Sequence, residues 1–379
     1  MPKSSTPTLS QDPKIASIDA LFEKAGLVRN LRGKSGALPL RKRNRLERGE
    51  PDELPQPPVP LIASNGVQLL AVPAWRNSGK GTHGGQSGTQ IPGNRVGDWL
   101  WHGFSTRRGG LSRAYCAEDA PGELNLGFTA DDDRNLVAAN RRLLAEAVSG
   151  NPDTPLVTIR QIHSSVLVHL GSADAARDNP CKGDGLMTDQ PGVLLAVQTA
   201  DCIPVLIADR KRRAVAAFHA GWRGTVKRIV ESGVGRMRLE FGSRPEDLVA
   251  AIGPGIGVCC YAVGEDLLSE FESQFTYGRE LFREVYSVDA VRTRYPMLFL
   301  TQRAPGHSPI GPSTHLDLVE ANRRQLLDAG LKPGSIRIIG GCTNCHTDLF
   351  FSHRASKGRA GRMMSVIGIR PQQREGNLP

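Results

Sequence analysis

Residues 193–224 read VLLAVQTADCIPVLIADRKRRAVAAFHAGWRG. Three apolar runs lie within them, at 193–197, 203–208 and 215–218, separated by Asp, Arg and Lys. Short runs rich in branched side chains and closed by polar turns predict buried strands. Beyond Gly224 the period changes: Val226, Ile229, Val230, Val234 and Met237 fall on one helical stripe. A strand at 248–252 follows, then a helix at 318–327 ending near Gly330, and closing strands at 335–339 and 363–369. On the N-terminal side, 156–159 predicts a strand, and 99–106 predicts another that enters the turn Arg107-Arg108-Gly109-Gly110. Between those two, Asp133 can cap a helix carrying Leu136, Val137, Leu143 and Leu144, which Gly150 ends. The pattern predicts an α/β fold, with mixed β-sheets packed by flanking helices in one large domain over residues 96–372.

Residues 1–60 are of another kind. They hold the basic run Arg41-Lys42-Arg43-Asn44-Arg45 and the Pro-rich Pro55-Gln56-Pro57-Pro58-Val59-Pro60. Such a composition buries too little apolar surface to offset the entropy of ordering, so a largely disordered N-terminal extension is expected. Residues 61–95 mix a Gly-rich stretch with short apolar pieces such as Val67-Gln68-Leu69-Leu70, and predict a poorly structured linker with one or two short strands. The Gly-rich stretch lacks the terminal Gly-Lys-Ser/Thr of a phosphate loop.

The 379 residues are 39% hydrophobic and 23% charged, which suffices for a packed core. No apolar run approaches the ~18 residues that cross a bilayer, and residues 1–19 lack the apolar segment of a secretory signal. A cytoplasmic protein without membrane partners is therefore expected, and as a monomer. The net charge of +10 is dispersed, part of it in the basic extension, and reads as solvated surface. Nucleic acid is not an expected partner. Seven cysteines without an export signal are expected to be reduced, in ligand or buried roles.

Nine histidines occur, and two of them bracket a cysteine. His163 follows a predicted strand, Cys202 lies where one strand gives way to the next, and His219 ends a third. Strand ends at the rim of a sheet are where α/β proteins gather ligands. Two imidazoles and a thiolate suit Zn²⁺, and three protein ligands leave a fourth tetrahedral position for water or substrate. A water molecule there would lose its proton near neutral pH. With gaps of 39 and 17 residues, spacing alone favours three unrelated core or surface residues, and Cys202 with His219 is also a chemically sound nucleophile–base pair.

A longer set of motifs narrows the field. Gly103-Phe104-Ser105-Thr106-Arg107, Leu124-Asn125-Leu126-Gly127, Gln161-Ile162-His163, Gly183-Asp184-Gly185-Leu186 and Thr199-Ala200-Asp201-Cys202-Ile203-Pro204 appear in order. Phe218-His219-Ala220-Gly221-Trp222-Arg223-Gly224, Gly253-Pro254-Gly255-Ile256-Gly257, Asp348-Leu349-Phe350-Phe351-Ser352-His353-Arg354 and Gly361-Arg362-Met363 continue the series. Over residues 95–370 the chain resembles the laccase-domain family, long labelled multicopper polyphenol oxidases and now understood as zinc-dependent purine nucleoside phosphorylases that also deaminate adenosine. The resemblance implies His163, Cys202 and His219 as metal ligands, with zinc as the cofactor and copper as the alternative. It implies phosphate and purine nucleosides (adenosine, inosine, guanosine and methylthioadenosine) as substrates. Arg107, Arg223 and Arg354 lie in matched motifs, and guanidinium groups suit phosphate. Asn125 is a candidate substrate contact or a turn cap. Asp184 and Asp201 are candidates for proton acceptance or for supporting a metal-bound histidine.

Two features depart from the pattern. His353 stands where the family commonly carries an aromatic residue, and Cys342-Thr343-Asn344-Cys345-His346 spells a haem-attachment motif. Without an export signal haem is not expected; a structural metal at Cys342 and Cys345 ranks above haem but behind a reading in which they bind nothing. Rival functions remain a copper-dependent oxidase, which the absence of any His-x-His pair disfavours, and a Cys-His hydrolase insensitive to chelators. The His-x-Glu and Pro-Cys-x-x-Cys elements of cytidine-type deaminases are missing.

Overall fold

Alternation along the strands sets the layers. The computed structural model describes residues 58–76, 96–171, 181–285 and 313–372. In chain order the strands are β1 (Leu61–Ile62), β2 (Gln68–Leu70), β3 (Leu100–Ser105), β4 (Arg108–Ser112), β5 (Leu156–Val157), β6 (Leu167–His169), β7 (Gly185–Thr188) and β8 (Leu194–Thr199). They continue as β9 (Ile203–Asp209), β10 (Val215–Ala220), β11 (Leu248–Ile252), β12 (Phe282–Val285), β13 (Ser313–Leu316), β14 (Ile336–Ile338) and β15 (Met363–Ile369). One six-stranded sheet runs β1-β2-β3-β15-β8-β5 and a second runs β14-β11-β9-β10-β7-β6. Both are mixed: β5–β8, β11–β14 and β6–β7 are parallel, while the remaining pairs within them are antiparallel.

Successive side chains on a strand face opposite ways, and here both faces are apolar. On β9, Leu206 and Ala208 join Val197 of β8, Ala217 of β10 and Ile367 of β15 in a core between the two sheets. Ile203, Val205 and Ile207 point outward onto helices Ile229–Phe241 and Leu318–Asp328, through Val230, Val234, Met237, Ala321 and Leu326. On the far side Ala196, Met364 and Val366 meet Leu144 of helix Arg134–Ser149. The result is a helix–sheet–sheet–helix sandwich, the α/β class with mixed sheets and flanking helices that the sequence predicts.

Phe218 shows how close the packing is. It is fully buried, and a Cβ added to Gly233 would lie 2.3 Å from its ring and one added to Gly185 2.7 Å. Phe218→Ala should cost about 3–5 kcal/mol, read as a lowered urea midpoint with an unchanged slope.

Helix Arg134–Ser149 is bounded as its sequence predicts: Asp133 accepts from the Asn135 N–H, and Gly150 takes the left-handed conformation at φ 84°. The stripe beyond Gly224 is broken in two, Trp222–Val226 and Ile229–Phe241, because Arg228 sits at φ 59°. The sequence gives no sign of strands β6, β7, β12 and β13 or of helix Glu265–Gln274, which are short or weakly patterned, and β4 takes up most of the stretch read as the turn Arg107-Arg108-Gly109-Gly110. Within the predicted linker, β1 and β2 join the first sheet, and Val67, Leu70, Val72 and Trp75 are buried. The rest of that linker beyond residue 76, and the predicted extension up to residue 57, lie outside the described residues. Among the described residues no helix is long and apolar enough to cross a membrane.

Candidate functional site

The chain leaves the first sheet at the end of β8 and enters the second at the start of β9, and Cys202 lies in that passage. His219, near the end of β10, pairs in register with Pro204 of β9, which brings it beside the same passage. His163 lies in the loop between β5 and β6, at φ 55°. A non-glycine residue in this left-handed conformation costs about 1–3 kcal/mol, and Asp184 offsets it.

Asp184 is wholly buried just before β7. Its Oδ1 accepts from the His163 N–H (3.0 Å), and its Oδ2 from the Ser164 N–H (2.6 Å), the Ser164 hydroxyl (2.7 Å) and, more weakly, the Ile162 N–H (3.3 Å). Oδ1 also lies 2.9 Å from His219 Nδ1. An ionised carboxylate only accepts, so Nδ1 carries the proton and the Nε2 side of the ring is left to act as ligand. One carboxylate thus holds the His163 loop and orients His219.

The imidazole nitrogens of His163 and His219 and the Cys202 sulfur offer one donor each, all within 4.8 Å of one another. Cys202 Sγ is 3.9 Å from His163 Nε2, and the two rings meet edge to face with centroids 4.9 Å apart. Gly221 leaves the cradle open, since a Cβ there would come within 3.0 Å of the Cys202 sulfur and 3.1 Å of the His163 ring. Two nitrogens and one sulfur at these separations can share a single tetrahedral cation, and the carboxylate behind His219 is the usual support of a metal-bound imidazole.

The electrostatics fit a ligand set. Burial alone would push the Cys202 thiol up, but positive charge on His219 and hydrogen bonds from both histidines bring it down to about 6. Burial would lower His219, yet the Cys202 thiolate and Asp184 raise it to about 9. Burial would raise Asp184, and the bonds from His219 and Ser164 instead hold it well below the usual carboxylate range. In chelator-treated protein, alkylation of Cys202 by iodoacetamide should therefore rise with a midpoint near pH 6, against about 8.5 for an ordinary thiol. Added divalent metal should protect it. A midpoint above 8 would show that the imidazoles do not stabilise the thiolate.

A cavity of about 610 Å³ opens over the cluster. Gln161, Gln198, Ile256, Tyr261 and His353 line it together with Arg160, Arg354 and Arg362. The Gln161 side chain clamps the Gln198 backbone, its Nε2 donating to the Gln198 carbonyl and its Oε1 accepting from the Gln198 N–H. Asp201, at φ 95°, accepts from the Thr343 hydroxyl (2.6 Å) and from the Arg354 N–H (2.7 Å). It therefore fixes the segment that delivers Arg354, whose guanidinium lies over Tyr261 and donates to the Ala262 carbonyl.

The residues singled out from the sequence divide. His163, Cys202, His219, Asp201 and Arg354 line the cavity, with Asp184 directly behind. Arg107 does not: it pairs with Glu123 at 2.6 Å, donates to the carbonyls of Thr347 and Tyr115, and covers the Phe351 ring. Arg223 is exposed on the helix after β10 and stacks on Trp222. Asn125 is buried, bonded to Gly127 and Asp132, and its Oδ1 accepts from the Arg362 N–H, so it positions a cavity residue from outside. Arg160, Gln198, Tyr261 and Arg362 were not singled out as site residues. Arg160 adjoins the Gln161-Ile162-His163 motif and Arg362 sits inside another, which is the signal that could have found them.

The sequence profile of the family described as Multi-copper polyphenol oxidoreductase laccase matches residues 101–370. The chain belongs to that family. It is 38% identical over 275 residues to a protein of Deinococcus radiodurans named Purine nucleoside phosphorylase, covering 73% of this chain and 90% of that one. It is 34% identical over 273 residues to one of the same name from Bacteroides thetaiotaomicron, covering 71% and 91%. Among solved structures, YlmD from Geobacillus stearothermophilus superposes with a TM-score of 0.57 at 33% identity, covering 72% of this chain and 92% of that one.

Proposed function

We propose that this family member is a zinc-dependent purine nucleoside phosphorylase that also deaminates adenosine. The observation that carries the reading is the three-donor cluster of His163, Cys202 and His219 opening onto a cavity edged by Arg160, Arg354 and Arg362. The names borne by its relatives supply the substrate class. A volume of about 610 Å³ falls in the range of small-molecule sites, roughly 300–1,000 Å³.

In phosphorolysis a phosphate oxygen bonds to the ribose anomeric carbon, the bond to the purine nitrogen breaks, and the purine leaves with that electron pair and takes up a proton. The arginines neutralise phosphate and hold it in register with the sugar. Tyr261, half-buried beneath Arg354, offers a flat apolar surface to the nucleoside. Asp184 positions rather than transfers protons, because both its oxygens are already engaged. When bound, zinc supplies a Lewis acid to the site, for the leaving base or for the water that deamination consumes.

Purified protein with adenosine and phosphate should yield adenine and ribose 1-phosphate, and no adenine without phosphate. Inosine should form in either case. Inosine, guanosine and methylthioadenosine test the range of bases. A zinc-replete sample that forms neither product overturns the proposal. The chain Asp184–His219–Cys202 also has the order of an orienting acid, a base and a nucleophile. Activity that survives a chelator but not alkylation would favour that reading. Copper bound in place of zinc, with oxidation of phenols, would favour an oxidase. Among the described residues, however, only this cluster and one of four cysteines gather metal-binding side chains.

A further inference from the structure

Four of the remaining cysteines converge at a second place. Cys259 and Cys260 lie in the turn after the Gly-rich segment 253–257, and Cys342 and Cys345 in the turn following β14. Their sulfurs all lie within 4.8 Å of one another, with Cys259 and Cys345 at 3.6 Å and Cys260 and Cys345 at 3.4 Å. A tetrahedral ZnS₄ centre with bonds near 2.3 Å has sulfur–sulfur edges of about 3.8 Å. A disulfide needs about 2.05 Å, and all four cysteines are free. The spacing is also too tight to enclose a polynuclear iron–sulfur core, which pushes its cysteines apart.

The backbone is arranged for anionic sulfur. The Gly257 N–H donates to Cys342 Sγ at 3.2 Å, and the N–H groups of Asn344 and Cys345 bear on the same atom. A side chain at Gly257 would crowd the cluster, since a Cβ would lie 3.1 Å from both Cys259 Sγ and Cys342 Cβ. Four thiols packed this closely have little to gain as neutral groups, but one divalent cation satisfies all of them. The haem reading of Cys342-x-x-Cys345-His346 fails for the same reason: both sulfurs are turned toward Cys259 and Cys260.

We infer that Cys259, Cys260, Cys342 and Cys345 form a closed structural zinc site, separate from the cluster at Cys202. Its place in the fold states its role. The two segments it joins are already in register, Gly255 bridging Cys342 and the Thr343 N–H donating to the Gly255 carbonyl. The first carries Ile256 and Tyr261 of the cavity wall, and the second carries Thr343, which holds Asp201. The metal staples the wall of the active cavity across 82 residues of chain.

The test is metal stoichiometry in reduced, full-length protein. Cys202→Ala should retain about one tightly bound zinc, and its cobalt-exchanged form should show the intense sulfur-to-metal absorption of a four-thiolate tetrahedral centre. An organomercurial should release that metal as it titrates the four site thiols, after about six equivalents in all because Cys116 and Cys181 also react. Cys342→Ser with Cys345→Ser should lose it and keep the metal at His163, Cys202 and His219. If this double variant does not fold, the cobalt spectrum of Cys202→Ala decides alone. A folded Cys202→Ala protein that holds no metal, a cobalt spectrum lacking thiolate bands, bound iron in its place, or disulfides among the four in anaerobically isolated protein would each overturn the inference. None of these readouts depends on turnover, so a failure here is distinct from a failure of the proposed activity.

Discussion

His219→Ala and Cys202→Ala should each lower phosphorolysis by about 1,000-fold or more, because a catalytic cation contributes several kcal/mol and each 1.36 kcal/mol is tenfold in rate. The loss should follow the metal, with one fewer bound equivalent per chain. The measurement pairs metal content with initial rates on adenosine or inosine. A variant that loses the metal yet turns over at the wild-type rate removes the cation from the mechanism. One that keeps the metal and loses activity points to Cys202 as nucleophile instead.

Asp184→Asn is expected to weaken metal binding by about 10–100-fold, the usual effect of losing the carboxylate behind a ligating histidine. It should also destabilise the fold by about 3 kcal/mol, since an amide nitrogen would face the N–H groups that the carboxylate now receives. The pH dependence follows from the signs. Asp184 is held below its unfolded value, so its contribution is present above the unfolded pKa of about 3.9 and is lost as pH falls below it. His219 is raised to about 9, so its contribution is complete below about 6.5 and disappears as pH rises through 9. Urea unfolding in chelator should show the gap between wild type and Asp184→Asn nearly constant from pH 5 to 6.5, closing on both sides. An equal gap at pH 3 would show that folding does not lower the Asp184 pKa, and an unchanged metal affinity would reduce it to a loop fastener.

Asp133 and Gly150 mark a helix because an N-cap acceptor and a left-handed glycine act within a turn of the residues they bound. The runs in 193–224 mark strands β8, β9 and β10 because burial on both faces leaves no polar alternation. Whether a guanidinium faces a cavity is not local. Arg107 and Arg354 both sit in matched motifs, yet Arg107 is taken by Glu123, which lies 16 residues away, while Arg354 is delivered to the cavity by Asp201, more distant by far. Gln198 carries no signal of its own and becomes a cavity residue only because β5 and β8 are paired in one sheet, which brings its backbone to the Gln161 side chain.

The composition and order of the residues were enough to specify an α/β chain of this family and to name His163, Cys202 and His219 as the donors to watch. Their meeting around one point, the capture of Asp184 by His219 and the His163 loop, and the gathering of four cysteines from two remote turns follow from the packing of two mixed sheets. Chemical type and short-range propensity are written along the chain, whereas convergence of side chains depends on which strand ends the folded layers bring to the same edge.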